Sequence, residues 1–359
     1  NIQYKRKTDG KKMKKKSKII KNAIIFILLI ILTFYIILKD QNIGEMFQIL
    51  GTVKLQYILI AVLCMCIYVL GESINIGRTL KALNEKTTFF QNIKYALIGF
   101  FFSGITPAAS GGQPMQIYYM YKDKISVANS TLSLLINLSS MQVVTISLAL
   151  ISVVVNHSIM NTALICFFVI GILLNASALT LLIIAIFHKK LLQKLINFVV
   201  KIMKKIKIKN VDKKQEKIES ELNKYQASSD YIKEHKLVML KTIVTTYIQF
   251  LAYYSVSYWV YRSFGLNEYN ILKIISIQSV LYGTVSGIPS PGAVGVTEGG
   301  FIEIFKTVFP KNSINGAMIL NRGINFYLLI VISAVITMTN AIKFQKMEEK
   351  NTENNEEIS

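Results

Sequence analysis

Acidic residues, prolines, histidines and cysteines are scarce in this chain, and little of the usual soluble-enzyme chemistry survives the count. The three cysteines carry no pairing signal: Cys64 and Cys66 are two apart, so on a helix they point in different directions, and Cys166 stands alone in another apolar run. His157, His188 and His235 sit at the edges of apolar runs, with no spacing that suggests zinc. No glycine-rich phosphate loop is present. Ser110, within AASGG, has no histidine inside an apolar run to activate it. No catalytic residue, metal or cofactor is therefore expected.

Twenty Asp and Glu face 41 Lys and Arg, for a formal net charge of +21. The surplus is concentrated in two places. Ten Lys and Arg lie between Lys5 and Lys21, and fourteen Lys with six acids lie between His188 and Lys236. Nucleic acid is one reading of such a surplus. In a chain this apolar the commoner one is cytoplasmic segments beside anionic lipid, so no nucleic-acid partner is expected.

Hydrophobic residues make up 52% of the 359, and the mean hydropathy is +0.43. That is above a soluble domain of this size and points to an all-α polytopic integral membrane protein. Uncharged runs cover 22–38, 55–71, 95–121, 125–188, 242–261, 274–297 and 323–342. Several are long enough to cross roughly 30 Å of hydrocarbon at about 1.5 Å per residue. The run 125–188 holds two crossings, with a turn at Asn156, His157, Ser158 and Asn161. The first run follows the basic leader without a small-residue cleavage site and reads as a retained anchor.

Two stretches interrupt this pattern, TPAASGGQPMQ (Thr106 to Gln116) and GIPSPGAVGVTEGG (Gly287 to Gly300). Proline and glycine at these positions forbid a smooth helix. If 91–121 crossed the membrane once, the fourteen lysines of 188–236 would fall outside, against the positive-inside rule. The segment is therefore expected to be a re-entrant hairpin opening to the cytoplasm, and 271–309 a second one opening outward. Six full spans and two hairpins result. Arg78 and Arg262, Pro107 and Pro291, Ala109 and Ala293, and Gly111 and Gly295 are each 184 apart. The order of elements predicts an inverted repeat, whose paired broken helices would build a polar site near the midplane.

The expected organisation is a basic cytoplasmic leader (1–21), a first membrane repeat with the first helix of the second (22–187), a basic cytoplasmic segment (188–236), the rest of the second repeat (237–342) and a cytoplasmic tail (343–359). Leu191, Leu195, Val199, Ile202 and Ile206 share one face, as in a helix lying on an anionic leaflet. From Lys209 onward, a plain solvated linker is the alternative.

The ordered pair TPAASGGQPMQIYYMYK and GIPSPGAVGVTEGGFIEIF, followed by an Arg in the final helix, resembles the lysylphosphatidylglycerol synthase transmembrane-region family over about residues 15 to 345. This is the flippase-like membrane domain also found at the amino end of the multiple peptide resistance factor. The resemblance implies movement of a phospholipid or lipid-linked headgroup between leaflets, lysyl-phosphatidylglycerol being one candidate. It also implies a bacterial-type cell membrane, a membrane phospholipid as partner, a separate lipid-modifying enzyme as a further one, and a link to cationic-peptide resistance. Longer members append a soluble domain that transfers lysine from transfer RNA to phosphatidylglycerol, and nothing after residue 345 is expected to fold into one. Lysyl transfer is the first rival function, and small-solute or ion transport the second. Many members carry Glu and Arg where this chain has Gln113 and Gln116.

The expected substrate-binding residues are Thr106, Pro107, Gly111, Gly112, Gln113 and Gln116 in the first break. In the second they are Pro291, Gly292, Gly295 and Glu298, with Asn321 and Arg322 from the final helix. Glu298 and Arg322 admit two readings that do not exclude each other: Arg322 facing phosphate and Glu298 an amine or proton, or a mutual structural ion pair. Glu72 is expected to snorkel or to pair with another helix. Arg78 and Arg262 read as interface anchors. The tyrosines at 118, 119, 121, 253, 254 and 258 read as aromatic belt or as a headgroup path. Gly111 and Gly112 are expected where a turn needs conformations that a Cβ resists, and where backbones approach closely.

Overall fold

A computed structural model of the chain describes residues 51–106, 109–157, 160–191, 211–288 and 291–357, with positions 48, 193, 194, 197 and 201. The leader, the run 22–38, Pro107, and Leu195, Val199, Ile202 and Ile206 of the expected amphipathic face lie outside the described residues.

Those residues are helical throughout, with no strand among them. In chain order the helices are α1 (Leu55–Ala82), α2 (Phe89–Ile105), α3 (Gly112–Lys122), α4 (Val127–Val155), α5 (Thr162–Phe187), α6 (Val211–Glu234), α7 (Lys236–Ser263), α8 (Ile271–Val285), α9 (Val296–Phe305), α10 (Ile314–Arg322) and α11 (Leu328–Glu357). Polar residues set several starts. Thr88 and Gln91 form a reciprocal capping box at α2, and the side chains of Asn161 and Asn270 accept from Leu164 N and Lys273 N at 2.9 Å to open α5 and α8.

Among the described residues five helices are long and apolar enough to cross a membrane: Leu55–Ala82, Val127–Val155, Thr162–Phe187, Lys236–Ser263 and the continuous Ile314–Phe344. Their polarity runs inside out. Along α1, Leu55, Leu59, Leu63, Ile67, Leu70 and Ile74 are exposed, whereas Ser73, Asn75 and Thr79 are buried. On α7, Leu237, Leu240, Val244 and Ile248 face outward, while Thr246 and Gln249 are fully buried. Water would not favour that arrangement. Hydrocarbon would, because apolar side chains solvate there and polar ones are costly at that surface.

α1 and α7 pack antiparallel along their length, Lys54 N donating to Ser263 O at one end and Arg78 to Lys241 O at the other. Around them stand two helical hairpins. α2 and α3 run antiparallel: Lys94 and Tyr95 meet Asp123 at the open mouth, and Ser103 faces Gly112 near the closed end. α8 and α9 do likewise, Tyr269 OH reaching Thr307 O at the mouth and Leu281 facing Gly300 deeper in. The mouths lie at opposite ends of the molecule. Phe344 and the α6 helix share the first end with Lys94, Asn129 and Ile186, while Asn156, Ser276 and Phe309 share the other with Tyr261. Each hairpin's longer arm packs on a distant helix, α2 on α11 and α8 on α4.

Beyond residue 210 the basic segment is a docked helix and not a free linker. On α6, Tyr225 OH donates to Ala185 O (2.9 Å), Ser229 to Ile186 O and Lys233 to Phe187 O (3.4 Å). These are the carbonyls that the C-terminus of α5 leaves without intrahelical partners.

Candidate functional site

The first break begins where α2 stops at Ile105. Thr106 holds it closed: its hydroxyl donates to Phe102 O (2.5 Å) and accepts from Gly111 N (2.9 Å), so one side chain ties the end of α2 to the start of α3. The left-handed position is not a glycine but Ala109, at φ 54°. Gly111 has φ −86°, so the expectation that it supplies unusual backbone is corrected. Close approach is what Gly112 provides. A Cβ there would lie 2.0 Å from Ser103 Oγ and 2.9 Å from Gly99 O. Gly99 in turn leaves room for Gln116, whose Nε2 donates to Tyr95 O at 3.0 Å.

In the second break, Pro291–Ala293 makes one tight turn, with Gly292 at φ 59° and Ala293 at φ 51°. Gly295 follows at φ 81° and caps α9. The break ends sooner than the sequence suggests. Glu298 is already the third residue of α9 because its Oε2 accepts from Gly295 N at 2.6 Å, a carboxylate at the positive end of the helix.

Glu298 and Arg322 are both buried and meet directly, Arg322 Nε donating to Glu298 Oε1 at 2.8 Å. Arg322 Nη2 also donates to Gly292 O (2.9 Å), and its guanidinium lies 4.3 Å from the centre of the Phe326 ring. The final helix thus fastens the second break at both its turn and its cap. Immediately after Arg322 the chain makes a π turn, Gly323–Tyr327. The turn brings Arg322, Asn325 and Phe326 to one cavity.

That cavity holds about 360 Å³ and is shared by the two breaks. Ser103, Ala109, Gln113 and Gln116 line it from the first, and Ser286, Gly292, Ala293 and Thr297 from the second. Of the expected substrate-binding residues, Gln113, Gln116, Gly292 and Arg322 are in the lining. Thr106, Gly111, Gly112, Gly295 and Glu298 stand behind it and shape the breaks, and Asn321 is turned to Ser257 (3.2 Å). Pro291 contributes backbone to the turn.

Glu72, expected to snorkel or to pair with another helix, was not among the expected substrate-binding residues. It lines the cavity from α1, and its recorded partner is an amide, Gln116 Nε2 at 3.5 Å. Among the described residues no cation lies in ion-pair contact with it. The signal was a lone acid inside an otherwise uncharged run. Two of the expected tyrosine groups divide as well. Tyr253 lines the cavity, Tyr254 is buried and Tyr258 lies against Arg262, whereas Tyr118 and Tyr121 are exposed. Arg78 is bound to Asn75 Oδ1 and Lys241 O, both at 2.8 Å, at the end of α1.

An all-helical bundle with apolar helices long enough to span, an apolar exterior and, between two broken helices, a cavity that carries polar side chains is a multi-pass membrane protein. The chain belongs to the family described as Lysylphosphatidylglycerol synthase TM region, whose sequence model matches residues 19–333. Comparison with curated protein sequences gives no match.

Proposed function

We propose that this protein moves a phospholipid or lipid-linked headgroup between the leaflets of a cell membrane. The observation that carries the reading is the central cavity, which places polar side chains among apolar ones and is built jointly by two helix breaks whose hairpins open toward opposite ends of the molecule. The cavity's polar side chains offer a headgroup partners that hydrocarbon does not. In this reading the run 22–38 joins the five long helices as a sixth span, and α2–α3 and α8–α9 are re-entrant. The lysine-rich end with α6 is cytoplasmic, as are both termini. Because α2 packs on α11 and α8 on α4, rocking one hairpin-and-helix pair against the other exposes the cavity to each side in turn.

The family's name supplies the substrate suggestion, lysyl-phosphatidylglycerol, and the rival activity, its synthesis. A leaflet-sidedness assay in proteoliposomes, with a panel of labelled lipids and with and without an ion gradient, tests transport. Every lipid staying in the leaflet where it was placed, with the protein folded, would overturn the proposal. Synthesis predicts instead that an aminoacylated lipid is missing from extracts of cells lacking the protein.

A further inference from the structure

We infer that the headgroup taken by the central cavity is a phosphate-linked polyol or sugar, recognised by side-chain amides and aromatic faces. The inference rests on the reading of this cavity as the headgroup site. Among the described residues seven side-chain amides line it, against one carboxylate, Glu72, and one guanidinium, Arg322. The nearby second carboxylate, Glu298, is taken up by Arg322 and Gly295 N. Two of the amides, Asn137 and Asn325, are 2% and 4% exposed, and each leaves its carbonyl oxygen without a partner, as does Gln142. A buried orphan acceptor is costly, and all three belong to side chains that border one cavity, where a turn of the amide would bring it to a ligand that carries donors.

Hydroxyl groups fit this lining better than an ammonium does. An amide turned over exchanges its carbonyl for its NH2, so each of these side chains meets a donor or an acceptor, and a hydroxyl is both. An ammonium only donates and has one carboxylate to compensate its charge. The ring faces agree: Tyr253 lies with its centroid 5.0 Å from Tyr68 and 5.6 Å from Tyr282, and all three line the cavity beside the amides. Arg322 is already paired with Glu298 and offers the phosphate the N–H donors that Glu298 and Gly292 O leave over. At about 360 Å³ the space is at the small end of ligand pockets, which run from roughly 300 Å³, and suits one headgroup.

The test measures binding, not movement. The purified full chain in detergent is titrated with dioctanoyl forms of phosphatidylinositol, phosphatidylglycerol, phosphatidylethanolamine, lysyl-phosphatidylglycerol and phosphatidic acid. Phosphatidylinositol and phosphatidylglycerol are expected to bind about tenfold more tightly than phosphatidic acid or the amine lipids. The double change Asn137→Leu with Asn325→Leu should erase that advantage, about tenfold for two hydrogen bonds, and leave phosphatidic acid unchanged. Gln142→Leu, at a less buried position, gives the same readout if the double variant does not fold. Tightest binding by an amine lipid, lost in Glu72→Gln, would overturn the inference in favour of a cationic headgroup. Equal binding of all five, or of none, would overturn it as well. Selective binding with no leaflet movement would instead sink the transport reading and leave this one standing.

Discussion

Ala109 and Ala293 stand 184 residues apart and occupy the same left-handed backbone, at φ 54° and 51°. Three residues after each, a helix begins, α3 at Gly112 and α9 at Val296. The two breaks therefore share this one backbone position, although Gly111 and Gly295, also 184 apart, differ, at φ −86° and 81°. A Cβ in this conformation costs about 1 kcal/mol or more, and a branched one costs further. Ala109→Val and Ala293→Val should each lower the unfolding temperature in detergent, by comparable amounts, while Ala→Gly at either is neutral or mildly stabilising. A large loss at one position with none at the other would mean that the breaks are not equivalent.

Gly112 is required by distance and not by backbone angle. Gly112→Ala forces its new carbon against Ser103 Oγ and Gly99 O, and about 1–3 kcal/mol of stability should be lost as α2 and α3 part. Adding Ser103→Ala removes the nearer obstacle and should restore part of that loss, since the Gly99 carbonyl remains. Chemical unfolding of the two variants reads the difference. No recovery in the double variant would place the clash elsewhere.

Breaking the Arg322–Glu298 pair leaves a buried charge alone, and Arg322→Ala or Glu298→Gln should cost about 3–5 kcal/mol. Exchanging the two residues should not restore stability, because an arginine at 298 has no oxygen to accept from Gly295 N. Thermal unfolding of the exchange variant decides this, and parental stability there would show that the helix cap is dispensable.

The opposite mouths of the hairpins make a labelling prediction. With Cys64, Cys66 and Cys166 replaced by Ser, a cysteine at Lys122 should react only with a reagent admitted to the cytoplasm, and one at Lys311 only with an impermeant reagent outside. Both reacting from one side would rule out the proposed membrane arrangement.

α6 gives a separate handle. Tyr225→Phe removes the donor to Ala185 O and should weaken docking by about 1 kcal/mol. Amide exchange across 219–234 is expected to quicken a few-fold at fixed pH, with α7 unaffected. Unchanged exchange would mean that Ser229 and Lys233 hold α6 without it.

The sequence by itself determined that the chain is a multi-pass helical protein, because uncharged runs of this length have one stable use, and proline with glycine located both breaks. Its periodicity at 184 also pointed to Ala109 and Ala293. Tertiary structure decided what each side chain does. Glu72 looked like an isolated acid on α1, and only the packing of α1 against the α2–α3 hairpin brings it to Gln116 and the cavity. Glu298 looked like part of a loop, and only the short bond to Gly295 N makes it the cap of α9. Asn137 carries no signal in sequence, and Asn325 only its place beside Arg322, since polar residues in apolar helices read alike whether or not they find partners. That difference depends on which atoms of other helices come within 3.5 Å, and folding alone settles it.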